Sequence, residues 1–187
     1  MKILSIWLCV ALLTVSGFAL SQETKKYNVS GANADELIAS MEANGPGDGA
    51  WGSYENRWGA SGPVEVTNGK YRFTAINVTY SYSITMPNWP GYRDASACRK
   101  RHWDAMYVNL KKHEDKHIDM AKNVASNIKT AAMAITPQDS KAALEAELSV
   151  VLNEKTAENQ ALQDKFDKDT EHGKTDPVNP VILNKCA

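Results

Sequence analysis

The chain predicts an α+β fold, a small antiparallel sheet packed with two long helices. Two observations carry this. Between Trp51 and Thr85 the composition turns to Tyr, Trp, Val, Ile and Thr, with stretches that alternate apolar and polar residues as half-buried strands do. After Ser96 the period changes, and apolar residues recur every three or four positions, the repeat of a helix with one buried face. At 187 residues the chain has the size of a single domain with a real core.

Taken in order, Gln22 to Lys26 reads as a polar leader, Tyr27 to Val29 as a short strand and Asn33 to Ala43 as a helix with Leu37, Ile38 and Met41 on its apolar side. Gly45-Pro46-Gly47 stops that helix. Asn68-Gly69 between Val64-Glu65-Val66 and Tyr71-Arg72-Phe73 signals a hairpin. Alternation from Arg72 to Ile84 predicts one long strand, broken by Met86 to Gly91. Trp103, Met106, Leu110, His113, His117, Ala121, Val124 and Ile128 form one stripe on a helix from about Ser96 to Ile135. Thr136 as N-cap and Pro137 at the first position open a second helix, running to about Thr170 with Leu144, Leu148, Val151, Leu162 and Phe166 on its stripe.

The first residues have the pattern of a secretory signal: Lys2, an apolar stretch from Ile3 to Leu13, and Ala19-Leu20-Ser21 as a small-x-small cleavage site. Residues 1–21 are therefore expected to be removed, leaving residues 22–187 as one exported domain, secreted or periplasmic, with no stable membrane insertion. Without Lys2, 20 basic residues face 22 acidic ones, a balance with no general attraction for nucleic acid or anionic membrane. Two cysteines remain, Cys98 and Cys186, and an even count in an exported chain predicts a disulfide between them. Their rival use as metal ligands lacks any Cys-x-x-Cys spacing. Asn28-Val29-Ser30 and Asn77-Val78-Thr79 match glycosylation sequons.

The run His113-Glu114-Asp115-Lys116-His117 is an HExxH motif. Residues four apart share a helix face, so two imidazoles can reach one ion, while the adjacent glutamate can hold a metal-bound water and take its proton. Both histidines fall on the apolar stripe, where an imidazole pair needs partners or a metal. A catalytic zinc wants three protein ligands and one open position. His102 lies about 16 Å from His113 by helical rise and cannot share the ion. His172, just beyond the second helix and before a Gly173 C-cap, is favoured as third ligand over carboxylates, of which Glu158 leads. Asp167 and Asp169 read either as hydrogen-bond partners that orient a ligand imidazole or, more in keeping with a charged helix end, as solvated acids.

Further features resemble a bacterial family of predicted secreted zinc-dependent proteases, a domain of unknown function. They are Tyr27-Asn28-Val29-Ser30-Gly31, Glu36-Leu37, Ser40-Met41, Pro87-Asn88-Trp89, Cys98, Trp103 and Leu110 ahead of HExxH, and the terminal Asp167, Thr170, His172 and Gly173. Phe166 stands where that family would have a tyrosine, and Thr175-Asp176-Pro177 where it would have glutamine-glycine. The resemblance implies a zincin-like fold and an exported zinc metallopeptidase binding one Zn²⁺ per chain through His113, His117 and His172. Glu114 would activate the zinc-bound water against a peptide carbonyl of a peptide or protein substrate, with Tyr107 or His102 as candidates to stabilise the oxyanion. The Arg72–Ile84 strand is the candidate for holding the substrate backbone. Trp51, Trp58 and Trp89 read as core before groove. The alternative is a non-catalytic metal-binding or interaction protein of the cell envelope. A dimetal carboxylate centre would need two more carboxylate-bearing helices.

Overall fold

The computed structural model describes residues 19–186, so the expected signal segment lies almost wholly outside the described residues. The described chain is α+β, with a small sheet, a separate hairpin and three helices. The strands are β1 (Ala19–Asn28), β2 (Ser53–Ser61), β3 (Val64–Thr67), β4 (Lys70–Phe73) and β5 (Asn77–Asn88). The helices are α1 (Ala34–Asn44), α2 (Ala97–Met133) and α3 (Lys141–Thr170). None of the described helices is long and apolar enough to cross a membrane.

Helix α1 starts at a capping box. Asn33 Oδ1 accepts from Glu36 N at 3.0 Å, and Glu36 reaches back to accept from Ala32 N at 2.7 Å. Ser96 and Ser140 cap α2 and α3 by accepting from the backbone N–H of Arg99 and Ala143. The second long helix therefore begins at Lys141, not at Pro137. Gln138 exchanges backbone hydrogen bonds with Tyr71 (2.8 and 2.9 Å), which keeps the chain extended there until Ser140.

Three expectations about the sheet are corrected. The sheet is mixed and not purely antiparallel: its order is β1-β5-β2, with β1 parallel and β2 antiparallel to β5. The supposed polar leader is the body of β1. Its side chains from Ser21 to Lys26 are all exposed, so it carries no alternation to read, as befits a charged edge strand. The expected single strand from Arg72 to Ile84 is broken in two. From Val78 to Met86 the apolar side chains that β5 buries are even-numbered (Val78, Tyr80, Tyr82, Ile84, Met86), while β4 buries Phe73; one sheet face cannot satisfy both phases. The chain turns at 74–76, where Thr74 N donates to Pro63 O at 3.0 Å.

Helix α2 crosses the sheet and joins two apolar clusters. One gathers Leu37, Met41, Tyr80, Ile84, Trp103, Met106 and Leu110; the other gathers Phe73, Ile76, Val124, Ile128, Leu144 and Leu148. The HExxH residues sit on α2 within the stretch that serves the first cluster, between Leu110 and Ile118. Past α3, the segment from Lys174 runs back along α2, burying Val181 and Leu183 in the first cluster. Asn109 Nδ2 donates to Pro180 O (2.9 Å), and Cys186 lies at disulfide distance from Cys98, with Cα atoms 6.0 Å apart.

Candidate metal centre

Because His113 and His117 are one helical turn apart on the inner face of α2, their imidazoles point at the same place, and both are buried. Their Nε2 atoms are 3.3 Å apart. Asp167, near the end of α3, brings Oδ1 to 3.0 Å from each of them. These three residues, two nitrogens and one oxygen, form a group that could hold a metal ion.

Protonation logic supports that reading. Gln163, buried on α3, donates from Nε2 to the carbonyl of His117 (3.1 Å) and to Asn159 Oδ1 (3.3 Å). Its Oε1 must therefore accept, and it accepts from His117 Nδ1. With the proton on Nδ1, neutral His117 turns a lone pair on Nε2 toward the Asp167 carboxylate and the His113 ring. Lone pairs converging on one point are stable only around a positive charge, a proton or a metal ion. The residues present fit a cation. In the metal-free chain a proton can serve: burial alone would pull the His117 pKa down, but the hydrogen bond and charge of Asp167 outweigh it and raise it above 6.5. Burial works the other way on Asp167, and there the two imidazoles prevail and hold its carboxyl well below the usual range.

Aromatic rings fix the ligand orientations. Tyr54 of β2 stacks on His117, with centroids 5.5 Å apart and planes 7° off parallel. Phe166 stacks on His113 at 4.7 Å and 18°. Gly173, with φ +84°, closes the back: a Cβ there would lie 2.7 Å from Val181 Cγ2 and 3.1 Å from His113 Cγ, so only glycine lets the terminal segment pass so near the ring.

Glu114 is 2 % exposed and lines the same cleft as the histidines. Burial, with help from Asp167 and Asp115 and against the pull of His117, pushes its pKa up to about 8. Gly52, the residue before β2, makes room for it: a Cβ at that position would fall 2.6 Å from Glu114 Oε1. The cleft is about 400 Å³ and is lined by Gly52 to Asn56 on one side and by His113, His117, Gln163, Asp167 and His172 on the other.

His172, the residue expected as third ligand, reaches this cleft. Its Nδ1 is 3.6 Å from Asp167 Oδ1, and its side chain is 35 % exposed, at the rim. It owes that position to Glu171, His172 and Gly173, which all take positive φ and turn the chain sharply off α3. Glu158, the rival ligand, points to solvent and pairs with Lys155 at 2.7 Å. Tyr107 packs beside Trp103 and His102 lies near Cys98, so neither borders the cleft. β5 is the central strand with neighbours on both sides, so it offers no open edge to a substrate; the strand beside the cleft is β2, which ends the sheet. Trp51 and Trp89 are buried, and Trp58 stacks on Tyr80.

Gln163 and Asn159 went unseen in the sequence because polar residues do not register on an apolar stripe. A signal existed: Leu144, Leu148, Leu152, Thr156, Asn159, Gln163 and Asp167 continue one row at spacings of three and four. Leu162, placed on the stripe by its hydrophobicity, is 57 % exposed.

Fold and cleft together bring two imidazoles of α2 and a carboxylate of α3 into one group that could hold a cation. The chain belongs to a bacterial protein family of unknown function, DUF922, whose model matches residues 24–173. No curated protein and no solved structure matches it.

Proposed function

We propose that this chain is an exported zinc-dependent peptidase. The observation that carries this reading is the buried Glu114 sharing a cleft with the converging Nε2 atoms of His113 and His117. A purely structural metal site needs no such carboxylate and usually closes all its positions with protein ligands. His113, His117 and Asp167 would hold Zn²⁺, which supplies Lewis acidity to activate water and polarise a carbonyl. Glu114 accepts the proton from the attacking water and returns it to the leaving amine. His172, at the rim beside Asp167, donates a hydrogen bond to the oxyanion that forms at the scissile carbonyl. The open edge of β2 pairs with an extended peptide backbone along Gly52 to Asn56. Cleavage after Ser21 would leave Gln22, which accepts from Tyr82 at 2.8 Å, as the start of β1.

The experiment is hydrolysis of an unstructured protein substrate by the metal-loaded chain. Glu114→Gln should abolish turnover while keeping the metal. His172→Ala should keep the metal and lose most of the turnover. If His172→Ala instead loses the ion and Asp167→Ala keeps it, His172 is the third ligand. If wild type loaded with zinc cleaves nothing, or Glu114→Gln cleaves equally well, the chain is a non-catalytic metal protein of the envelope.

A further inference from the structure

A second group of ligand atoms lies far along α2 from the first. Cys98 and His102 are one turn apart at the start of α2, and Cys186 arrives from the terminal segment. The two sulfurs and a His102 ring nitrogen all lie within 4.8 Å of one another. We propose that when this disulfide is reduced, Cys98, His102 and Cys186 bind a soft metal ion, Zn²⁺ or Cu⁺, so that the cysteine pair alternates between a disulfide and a metal site.

The i, i+4 relation of Cys98 and His102 is the spacing that brings two ligands of one helix to one ion, here without the Cys-x-x-Cys pattern that sequence reasoning looks for. A disulfide needs no histidine beside it, whereas two thiolates and an imidazole make a common zinc donor set. All three residues are partly exposed, so a reductant and an ion can both enter. Cys98 is in the first turn of α2, two residues after the N-cap Ser96, where the unpaired backbone N–H groups favour negative charge on its sulfur. The chemistry balances with a dithiol reductant: it delivers two electrons and two protons to the disulfide and leaves oxidised as its own disulfide, and the bound Zn²⁺ or Cu⁺ then displaces both thiol protons to solvent. In either state the terminal segment stays tied to α2. That tie matters for the first centre, because Val181 N donates to Gly173 O at 2.9 Å directly behind His113.

The proposal stands whether or not the first centre is catalytic. Its test is Co²⁺ titration of the full chain, oxidised and after reduction with a phosphine under anaerobic conditions. The first centre has nitrogen and oxygen ligands only, so a sulfur-to-cobalt charge-transfer band reports the second centre alone. The expected result is a second equivalent of cobalt with that band in the reduced chain, no band in the oxidised chain, and affinity lower by about tenfold or more in His102→Ala. His102→Ala should still re-form the disulfide on oxidation. Absence of the band in the reduced chain would overturn the proposal, as would unchanged affinity in His102→Ala. A reduced, cobalt-loaded chain that has lost its helical circular dichroism would overturn it too, because the site requires a docked terminal segment.

Discussion

The two halves of α3 face α2 with opposite chemistry. In the first half Leu144 and Leu148 are buried against Val124, Ile128 and Ala132, an apolar contact whose only task is to hold the helices together. In the second half the same row buries Asn159 and Gln163 and ends at Asp167, all directed at the HExxH turn. Buried amides and carboxylates cost free energy unless each finds a partner, and here the partners form a connected chain from Asn159 through Gln163 and His117 to Asp167. One helix thus anchors with its first half so that its second half can present a polar site in a fixed register.

If that division of labour is right, mutations in the two halves should separate stability from metal affinity. Leu144→Ala removes a side chain that is 0 % exposed and should cost about 2–5 kcal/mol in urea unfolding. Its zinc affinity, measured under native conditions, should stay within a factor of about two of wild type, since Leu144 lies far from the ligands along α3.

The polar half should reveal itself through pH in the metal-free chain. Glu114 and His117 both have folded pKa values raised above their unfolded ones, so both bind protons more tightly when folded. Their contribution is complete at low pH and is lost as pH rises through the folded values, for Glu114 about 8. Asp167 acts only below its ordinary value of 3.8, outside this window. The urea midpoint of metal-free protein should therefore fall between pH 5 and pH 9, by up to about 1.4 kcal/mol per pH unit for one group. Glu114→Gln should flatten most of that slope, and a profile identical to wild type would refute the assignment.

Gln163→Leu should differ from Leu144→Ala by costing metal affinity as well as stability. With the His117 tautomer no longer enforced, metal affinity should drop about 10–100-fold, and the metal-free chain should lose about 1–3 kcal/mol because the buried His117 Nδ1 and Asn159 Oδ1 are left without a partner. An equal loss of stability and no loss of affinity would make Gln163 ordinary core. At the small end, Leu162→Ala should shift stability by less than about 0.5 kcal/mol, because that side chain is exposed.

The same contrast explains what could be read from the sequence. Apolar periodicity located α2 almost to its ends and placed Leu144 and Leu148 correctly, since burial of apolar residues is what periodicity reports. His113, Glu114 and His117 were legible because a four-residue spacing has one geometric meaning on a helix. His172 was legible as a residue turned off the end of α3, through Gly173. Asp167 was legible as a partner of a ligand imidazole or a solvated acid, but not as a ligand itself, because its place beside both histidines comes from the phase of α3 against α2, a tertiary relation. Only the end of β1, at Tyr27 and Asn28, was legible, for a simpler reason: the exposed edge strand of Ser, Gln, Glu, Thr and Lys before it has backbone pairing but no buried face to leave a pattern. Its parallel pairing with β5 depends on residues some sixty positions away.

The central claim is that the polar half of α3 and the HExxH turn of α2 together hold one metal ion. The most direct test is metal content of the chain from Gln22, purified without chelator, beside His113→Ala and Asp167→Ala. About one zinc per wild-type chain is expected, with little or none in either variant and helical content unchanged in all three. A wild-type chain that arrives empty and refuses added zinc, or an Asp167→Ala variant that retains its full equivalent, would contradict it.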